Sequence, residues 1–274
     1  MKIDAHQHFW KYDPVRDAWI DDSMQVIRKD FLPKHLKPIL NANNFDGCIA
    51  VQADQSETET HFLLDCAEKN PFIKGVVGWV DLSADNVEER LVHFSKNKLF
   101  KGVRHIVQAE ESNFMLRKDF KNGIGKLSSF NLTYDILIFP TQMEAAINLV
   151  NTFPNQKFVI DHLAKPYIKA GKIEDWKTKI TALAKIPNVY CKVSGLVTEA
   201  DLKHWKIQDF YPYLDAVFNA FGVERILYGS DWPVCLLAAN YEKQLHIIQN
   251  YVKDFSKEEQ SKIFGENAIK FYNL

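Results

Sequence analysis

Eight short runs rich in apolar and β-branched residues recur along the chain with helical stretches between them, and this alternation narrows the fold more than any other feature. The runs are KIDAHQHF (2–9), FDGCIAVQAD (45–54), FIKGVVGWVDL (72–82), FKGVRHIVQ (100–108), LTYDILIF (132–139), KFVIDHLAKP (157–166), NVYCKVSGLV (188–197) and RILYGSDWP (225–233). Helical spacing or helix-start residues mark 57–70, 141–153, 174–186, 211–222 and the last stretch, 256–274. Residues 10–44 read as a long first connection looping over one end. Strands alternating with helices imply a parallel sheet. Eight such units in 274 residues correspond to one βα unit per ~34 residues, the arithmetic of a TIM barrel. An open doubly wound sheet would carry a glycine-rich phosphate loop after its first strand. Here that strand ends in His6-Gln7-His8-Phe9-Trp10, and neither GxGxxG nor a P-loop occurs. The expectation is a single-domain α/β fold over 1–274, a distorted (β/α)8 barrel.

Active groups of a barrel sit at the C-terminal ends of its strands. The predicted ends carry His6 and His8, then Gln52 and Asp54, Trp79 and Asp81, Arg104 and His105, Asp161, His162 and Lys165, Ser194, and finally Asp231 and Trp232. Residues i and i+2 of a strand share a face, so His6 and His8 are expected to point together into the mouth, with Asp4 one layer deeper. His105 has the opposite parity, and its role stays open. His35, His61, His93, His204 and His246 fall in helical or loop segments and are expected to be packed or solvated. Trp10, Trp79 and Trp232 offer apolar faces, while Gln52, Asp54, Lys165 and Ser194 offer polar groups, to a small molecule in the mouth.

Lys plus Arg total 34 against 35 Asp plus Glu. This balance gives no surface for nucleic acid. No apolar stretch is long enough to span a bilayer, and the opening MKIDAHQ lacks a signal-like apolar region, so a cytoplasmic protein is expected. The four cysteines, Cys48, Cys66, Cys191 and Cys235, form no CxxC pair and read as small buried hydrophobes.

DAHQHFW, VIDHLAKP and YGSDWPV together resemble the amidohydrolase superfamily. VQADQSETETHFLLDCA, GVVGWVDL and KGVRHIVQ are similar to its amidohydrolase-2 branch of sugar lactonases, the L-fuconolactonase and L-rhamnonolactonase-like proteins. The resemblance runs through nearly the whole chain. It implies a distorted TIM barrel that hydrolyses at a carbonyl carbon, with His6, His8, His162 and Asp231 as the group that would hold a divalent cation. The superfamily's bridging Lys or Glu on the fourth strand is replaced by Arg104, and the fifth strand, YDILIFP, lacks the usual His. A two-metal site is therefore not expected. Lactonases of this branch work without an obligatory metal, so the expectation is none obligatory, or one Zn²⁺.

The reaction expected is the opening of an aldonolactone, of L-fucose or L-rhamnose type, to the free aldonic acid. Asp231 would be the general base. His6, His8 and His162 would either polarise the carbonyl and orient water or hold one metal. Arg104 would bind substrate oxygens as a fork of donors, with Trp79, Gln52, Lys165 and Trp232 as further substrate contacts. A zinc-dependent decarboxylase or amide hydrolase on the same barrel is the alternative. A serine nucleophile has no GxSxG to support it.

Overall fold

Strands β1 (Ile3–Gln7), β2 (Gly47–Val51), β3 (Ile73–Gly78), β4 (Phe100–His105), β5 (Thr133–Ile136), β6 (Phe158–Ile160), β7 (Val189–Val193) and β8 (Ile226–Tyr228) form one sheet in chain order, each parallel to the next. They belong to a computed structural model that describes residues 1–274. Helices α1 (Pro33–Ala42), α2 (Glu57–Lys69), α3 (Val87–Ser95), α4 (Lys118–Leu127), α5 (Met143–Thr152), α6 (Glu174–Ala184), α7 (Leu196–Glu199), α8 (Tyr211–Phe221) and α9 (Tyr241–Tyr251) follow the strands. The chain ends in α10 (Lys257–Ser261), a π turn at Lys262–Glu266 and α11 (Asn267–Tyr272). No helix is long and apolar enough to cross a membrane.

The ring of strands closes between β8 and β1 only at their C-terminal ends. There Gln7 bridges Trp232, the His8 N–H donates to the Trp232 carbonyl at 2.7 Å, and the Asp231 N–H donates to the His6 carbonyl at 2.8 Å. The seam itself thus sets His6, His8 and Asp231 side by side. Below them Ile3, Ala5, Ile49, Val51, Val77, Val159 and Leu227 fill the barrel, plugged by Phe271 and Tyr272 of α11. The helices pack outside on a second, larger apolar layer that includes Cys48, Ala50 and Val76. All four cysteines are buried and unpaired.

Two expectations need correction. Asp4 does not lie beneath His6 inside the barrel. The β1 register slips against β2 between Asp4 and Gln7, a bulge that puts Ala5 and His6 on the inner side in succession. Asp4 instead faces the helix layer, where it accepts from the Tyr241 hydroxyl at 3.1 Å and the Ser230 N–H at 2.9 Å, tying β1 to the turn that carries Asp231. The first connection is also not all loop. Pro33–Ala42 is a helix whose Pro33, Leu36 and Leu40 are buried. Pro33 sits at the first turn, where its missing N–H costs nothing, and Pro38 interrupts the periodic signal further on. Residues 10–32 do cross the barrel mouth, pinned by the Trp10–Phe31 bridge and by Trp10 Nε1 donating to the Lys29 carbonyl at 2.9 Å.

Candidate active site

Three imidazoles converge on one carboxylate oxygen at the floor of the mouth. Nε2 of His8 lies 3.4 Å, of His162 3.8 Å and of His6 3.9 Å from Asp231 Oδ1. All four residues are buried. Asp231 is held in the left-handed region at φ +57°, a conformation that a non-glycine residue adopts at a cost. Gly229 makes the approach possible, because a Cβ there would stand 2.5 Å from the His6 Cβ.

His162 reaches this point from a loop, not from a strand. β6 stops at Ile160, and His162, Leu163, Ala164 and Lys165 all have positive φ. Single residues visit this region, but consecutive ones rarely do. Trp176 Nε1 clamps the run by donating to the Leu163 carbonyl at 2.7 Å. Ser194 Oγ lies 2.9 Å from His162 Nδ1 and fixes the ring from behind. Gly195, at φ +60°, leaves room for that ring, since a Cβ there would meet Nδ1 at 2.5 Å.

Behind the imidazoles lies a buried charge network. Arg104 Nη1 donates to Asp161 Oδ2 at 3.1 Å and faces His6 Nε2 at 3.3 Å. Its Nε and Nη2 donate to Gln52 Oε1 at 3.3 and 3.0 Å, and Nη2 also donates to the Gln52 carbonyl. Lys192 Nζ pairs with Asp135, lies 3.0 Å from Asp161 Oδ1 and 3.1 Å from His6 Nδ1. Tyr272 closes the chain by donating to Asp135 Oδ2 at 2.8 Å. The expected fork from Arg104 to substrate is therefore corrected: its N–H groups are committed to Gln52, Asp161 and His6. What remains is a fixed positive charge in the cavity wall.

The same network sets the protonation states. Burial, with Lys192 nearby, holds His6 well below the usual imidazole range despite Asp161, and burial does the same to His162. Both rings are neutral at neutral pH. Burial raises Asp161, but Lys192, His6 and Arg104 outweigh it and hold the carboxyl well below its ordinary range. Burial likewise opposes the Asp231 carboxylate, yet the facing His162 and His8 leave it more acidic than usual. Asp135 is pushed up to about 6 by burial, against the pull of Lys192.

The cavity above Asp231 holds about 340 Å³, a volume suited to a small molecule. His8, His162, Asp231, Arg104 and Lys165 line it. Several expected substrate contacts do not. Gln52 is fully buried behind Arg104. Trp232 packs edge-on against Phe9 and Phe31 in the core. Trp79 turns its Nε1 outward to His105 Nδ1 at 3.3 Å, and His105 stacks on Phe114 away from the mouth. Trp10 is buried beneath Trp19. Asp54 accepts from Ser56, and Ser194 serves His162. The aromatic face at the mouth is Trp19, 44% exposed, delivered by the first connection. Gln55 and Gln108 are the amides of the wall, and Gln108 Oε1 has no partner.

The loops that carry Trp19 and Gln55 show no periodic signal in the sequence, and Gln108, at the end of the fourth apolar run, was passed over for Arg104 and His105. Asp135 and Lys192 were also passed over, although a signal existed for them. Each is a charge inside an otherwise apolar strand, YDILIF and VYCKV, and a charge buried there must find a partner.

The donor set fits one divalent ion. His8 Nδ1 lies 2.8 Å from the Val51 carbonyl and so carries its proton there. Its Nε2 lone pair then faces the carboxylate oxygen of Asp231, two acceptors that only a cation or a proton reconciles. The second nitrogen of each imidazole is held by a carbonyl, a serine or a carboxylate, as in metal-ligating histidines. Ligand atoms of His6, His8 and Asp231 lie within 4.8 Å of one another. Imidazole with carboxylate suits zinc.

A family model described as Amidohydrolase matches residues 3–274. The chain is 36% identical over 286 residues to an L-fucono-1,5-lactonase of Burkholderia multivorans, covering 100% of this chain and 96% of that protein. It is 33% identical over 279 residues to the L-fucono-1,5-lactonase of Burkholderia ambifaria, again covering 100% and 96%. Among solved structures, an amidohydrolase from Burkholderia multivorans with bound Zn superposes with a TM-score of 0.97 at 35% identity, covering 100% of this chain and 99% of that one.

Proposed function

The chain belongs to the amidohydrolase family, and from that premise we propose how its residues open a sugar-acid lactone, with L-fucono-1,5-lactone as the favoured substrate. It is a hydrolase acting on the ester bond of a sugar lactone, the activity that its full-length relatives carry. The observation that carries the residue roles is the convergence of three imidazole Nε2 atoms on Asp231 Oδ1 at the floor of the cavity.

Asp231, ionised and buried, takes a proton from water as the water oxygen attacks the lactone carbonyl carbon. His8, with its proton committed to the Val51 carbonyl, offers Nε2 as an acceptor for the second hydrogen of that water. Negative charge then develops on the carbonyl oxygen. His162 donates to it from Nε2 while Ser194 donates to Nδ1, and Arg104 adds a fixed positive charge. His6 stands between Asp161, 3.3 Å from its Nδ1, and Arg104, 3.3 Å from its Nε2, so it holds the guanidinium in place. The ring C–O bond breaks, the leaving alkoxide takes the proton from Asp231, and the aldonic acid loses its proton to solvent. A divalent ion would be held by His8, His162 and Asp231, and by His6 once its Nε2 is freed from Arg104, and would supply Lewis-acid polarisation of the carbonyl. A lactone is reactive enough that these residues suffice without it.

The wall residues suit a sugar. Trp19 covers an apolar ring face, and the side chains of Gln55, Gln108 and Lys165 offer polar groups to the hydroxyls. Ile106, Leu137 and Val234 take the apolar end of the substrate. A pH-indicator assay over 1,4- and 1,5-lactones of L-fuconate and L-rhamnonate, with and without chelator, tests the reading. Acid release from the L-fucono-1,5-lactone that survives chelation is expected.

A further inference from the structure

We infer that Glu199 masks the charge of Lys165 so that the anionic product leaves the cavity, which makes it a residue that sets the balance between substrate and product binding. This rests on the lactonase reading. Lactone hydrolysis changes the charge of what the cavity holds: a neutral ring enters, and a carboxylate remains after a proton has left. A cavity lined by free cations would retain that product.

Two cations line the wall, and each is paired with a carboxylate, Arg104 with one that Lys192 shares. Arg104 is paired with Asp161 at 3.1 Å. Lys165 is paired with Glu199 at 2.9 Å, both side chains largely shielded from solvent at 17% and 16% exposure. Asp231 adds a carboxylate with no cationic side chain of its own. With Lys165 cancelled by Glu199, the Arg104 charge that serves the oxyanion is offset by the Asp231 carboxylate, so the cavity has no surplus cation to retain an aldonate. Glu199 itself does not line the cavity. It stands at the end of α7, a single turn after β7, and approaches the ammonium from behind. Lys165 is held from below as well, its Nζ 5.6 Å from the Phe139 ring centroid, so its position does not depend on Glu199 alone. Shielding from solvent keeps the pair strong, because little salt or water screens it.

The alternative role for Glu199 is to hold Lys165 in place for a substrate hydroxyl. The two roles predict opposite signs. If Glu199 only positions Lys165, Glu199→Gln weakens lactone and aldonate together. If it masks charge, Glu199→Gln tightens the aldonate alone.

The test measures L-fuconate binding by isothermal titration and its product-inhibition constant during L-fucono-1,5-lactone turnover, at low and high salt. Glu199→Gln is expected to bind L-fuconate more tightly by on the order of tenfold, with the lactone KM little changed and the gain shrinking in high salt. Lys165→Met, which leaves Glu199 as an unpaired anion, is expected to bind L-fuconate more weakly than the parent, and Lys165→Met/Glu199→Gln is expected to lose the gain. Unchanged or weakened L-fuconate binding in folded Glu199→Gln overturns the masking role while parent turnover leaves the lactonase reading intact. A parent enzyme silent on every lactone overturns both.

Discussion

Gln52 accepts hydrogen bonds from both Nε and Nη2 of Arg104, at 3.3 and 3.0 Å, deep in the barrel wall. The amide therefore spends itself on the guanidinium, and the guanidinium keeps its charge but not its fork for the substrate. Gln52→Leu should leave buried Arg104 donors without acceptors at a cost of about 1–3 kcal/mol. It should also let the charge drift from the carbonyl oxygen. A fall in kcat of roughly tenfold or more, with KM for the lactone nearly constant, is the expected kinetic result. A KM effect alone would mean that Gln52 touches the substrate after all.

Lys192 ties Asp135 and Asp161 together with no solvent at hand. Lys192→Met would leave two carboxylates facing each other, and urea unfolding should show a loss of about 3–5 kcal/mol. Adding Asp135→Leu removes one of the stranded charges and should restore part of that loss. A Lys192→Met protein as stable as the parent would contradict the burial of a working ion network.

Gly195→Ala adds a methyl where the His162 ring stands and at a φ that disfavours it. Thermal unfolding should show a cost of about 1–3 kcal/mol. Turnover should fall further than Tm suggests, because the displaced ring is the oxyanion donor. Full turnover in the variant would show that His162 tolerates movement.

Glu59 gives the pH dependence of stability a specific source. Its carboxyl accepts from the Ala53 and Asp54 N–H groups, but burial dominates and pushes it from 4.5 up to about 8. Between those values the folded chain holds a proton that the unfolded chain has released. Stability from this group is therefore complete below pH 4.5 and is lost as pH rises through 8. Chemical denaturation at pH 5 and pH 8 should show that Glu59→Gln removes a decline on the order of a few kcal/mol across roughly that window. Parallel slopes in parent and variant would reject the assignment.

The architecture was legible because eight apolar runs at even spacing have few solutions, and His6, His8, His162 and Asp231 stood at the ends of those runs. Their convergence came through even though His162 and Asp231 sit in left-handed backbone that no strand pattern describes. What failed to come through has physical causes. The bulge in β1 turned Asp4 outward, since a one-residue slip reverses which face a side chain takes. Trp232 and Trp79 were assigned to the sugar by position alone, whereas Trp232 packs in the core and Trp79 on His105. Trp19 arrived from a connection without periodicity. The Lys192–Asp135 pair was visible as two charges in apolar strands, but pairing is a property of the closed barrel, not of either strand.

The claim that Asp231 is the base for lactone opening is tested most directly by comparing the parent with Asp231→Asn. Acid release from L-fucono-1,5-lactone is followed with a pH indicator, chelator is present throughout, and spontaneous hydrolysis is subtracted. Turnover by the chelated parent and a loss in kcat of about 10²–10⁴ in a variant with unchanged unfolding are predicted. Retained activity in Asp231→Asn, or a parent silent on every lactone but active on an aromatic carboxylate, would contradict the account.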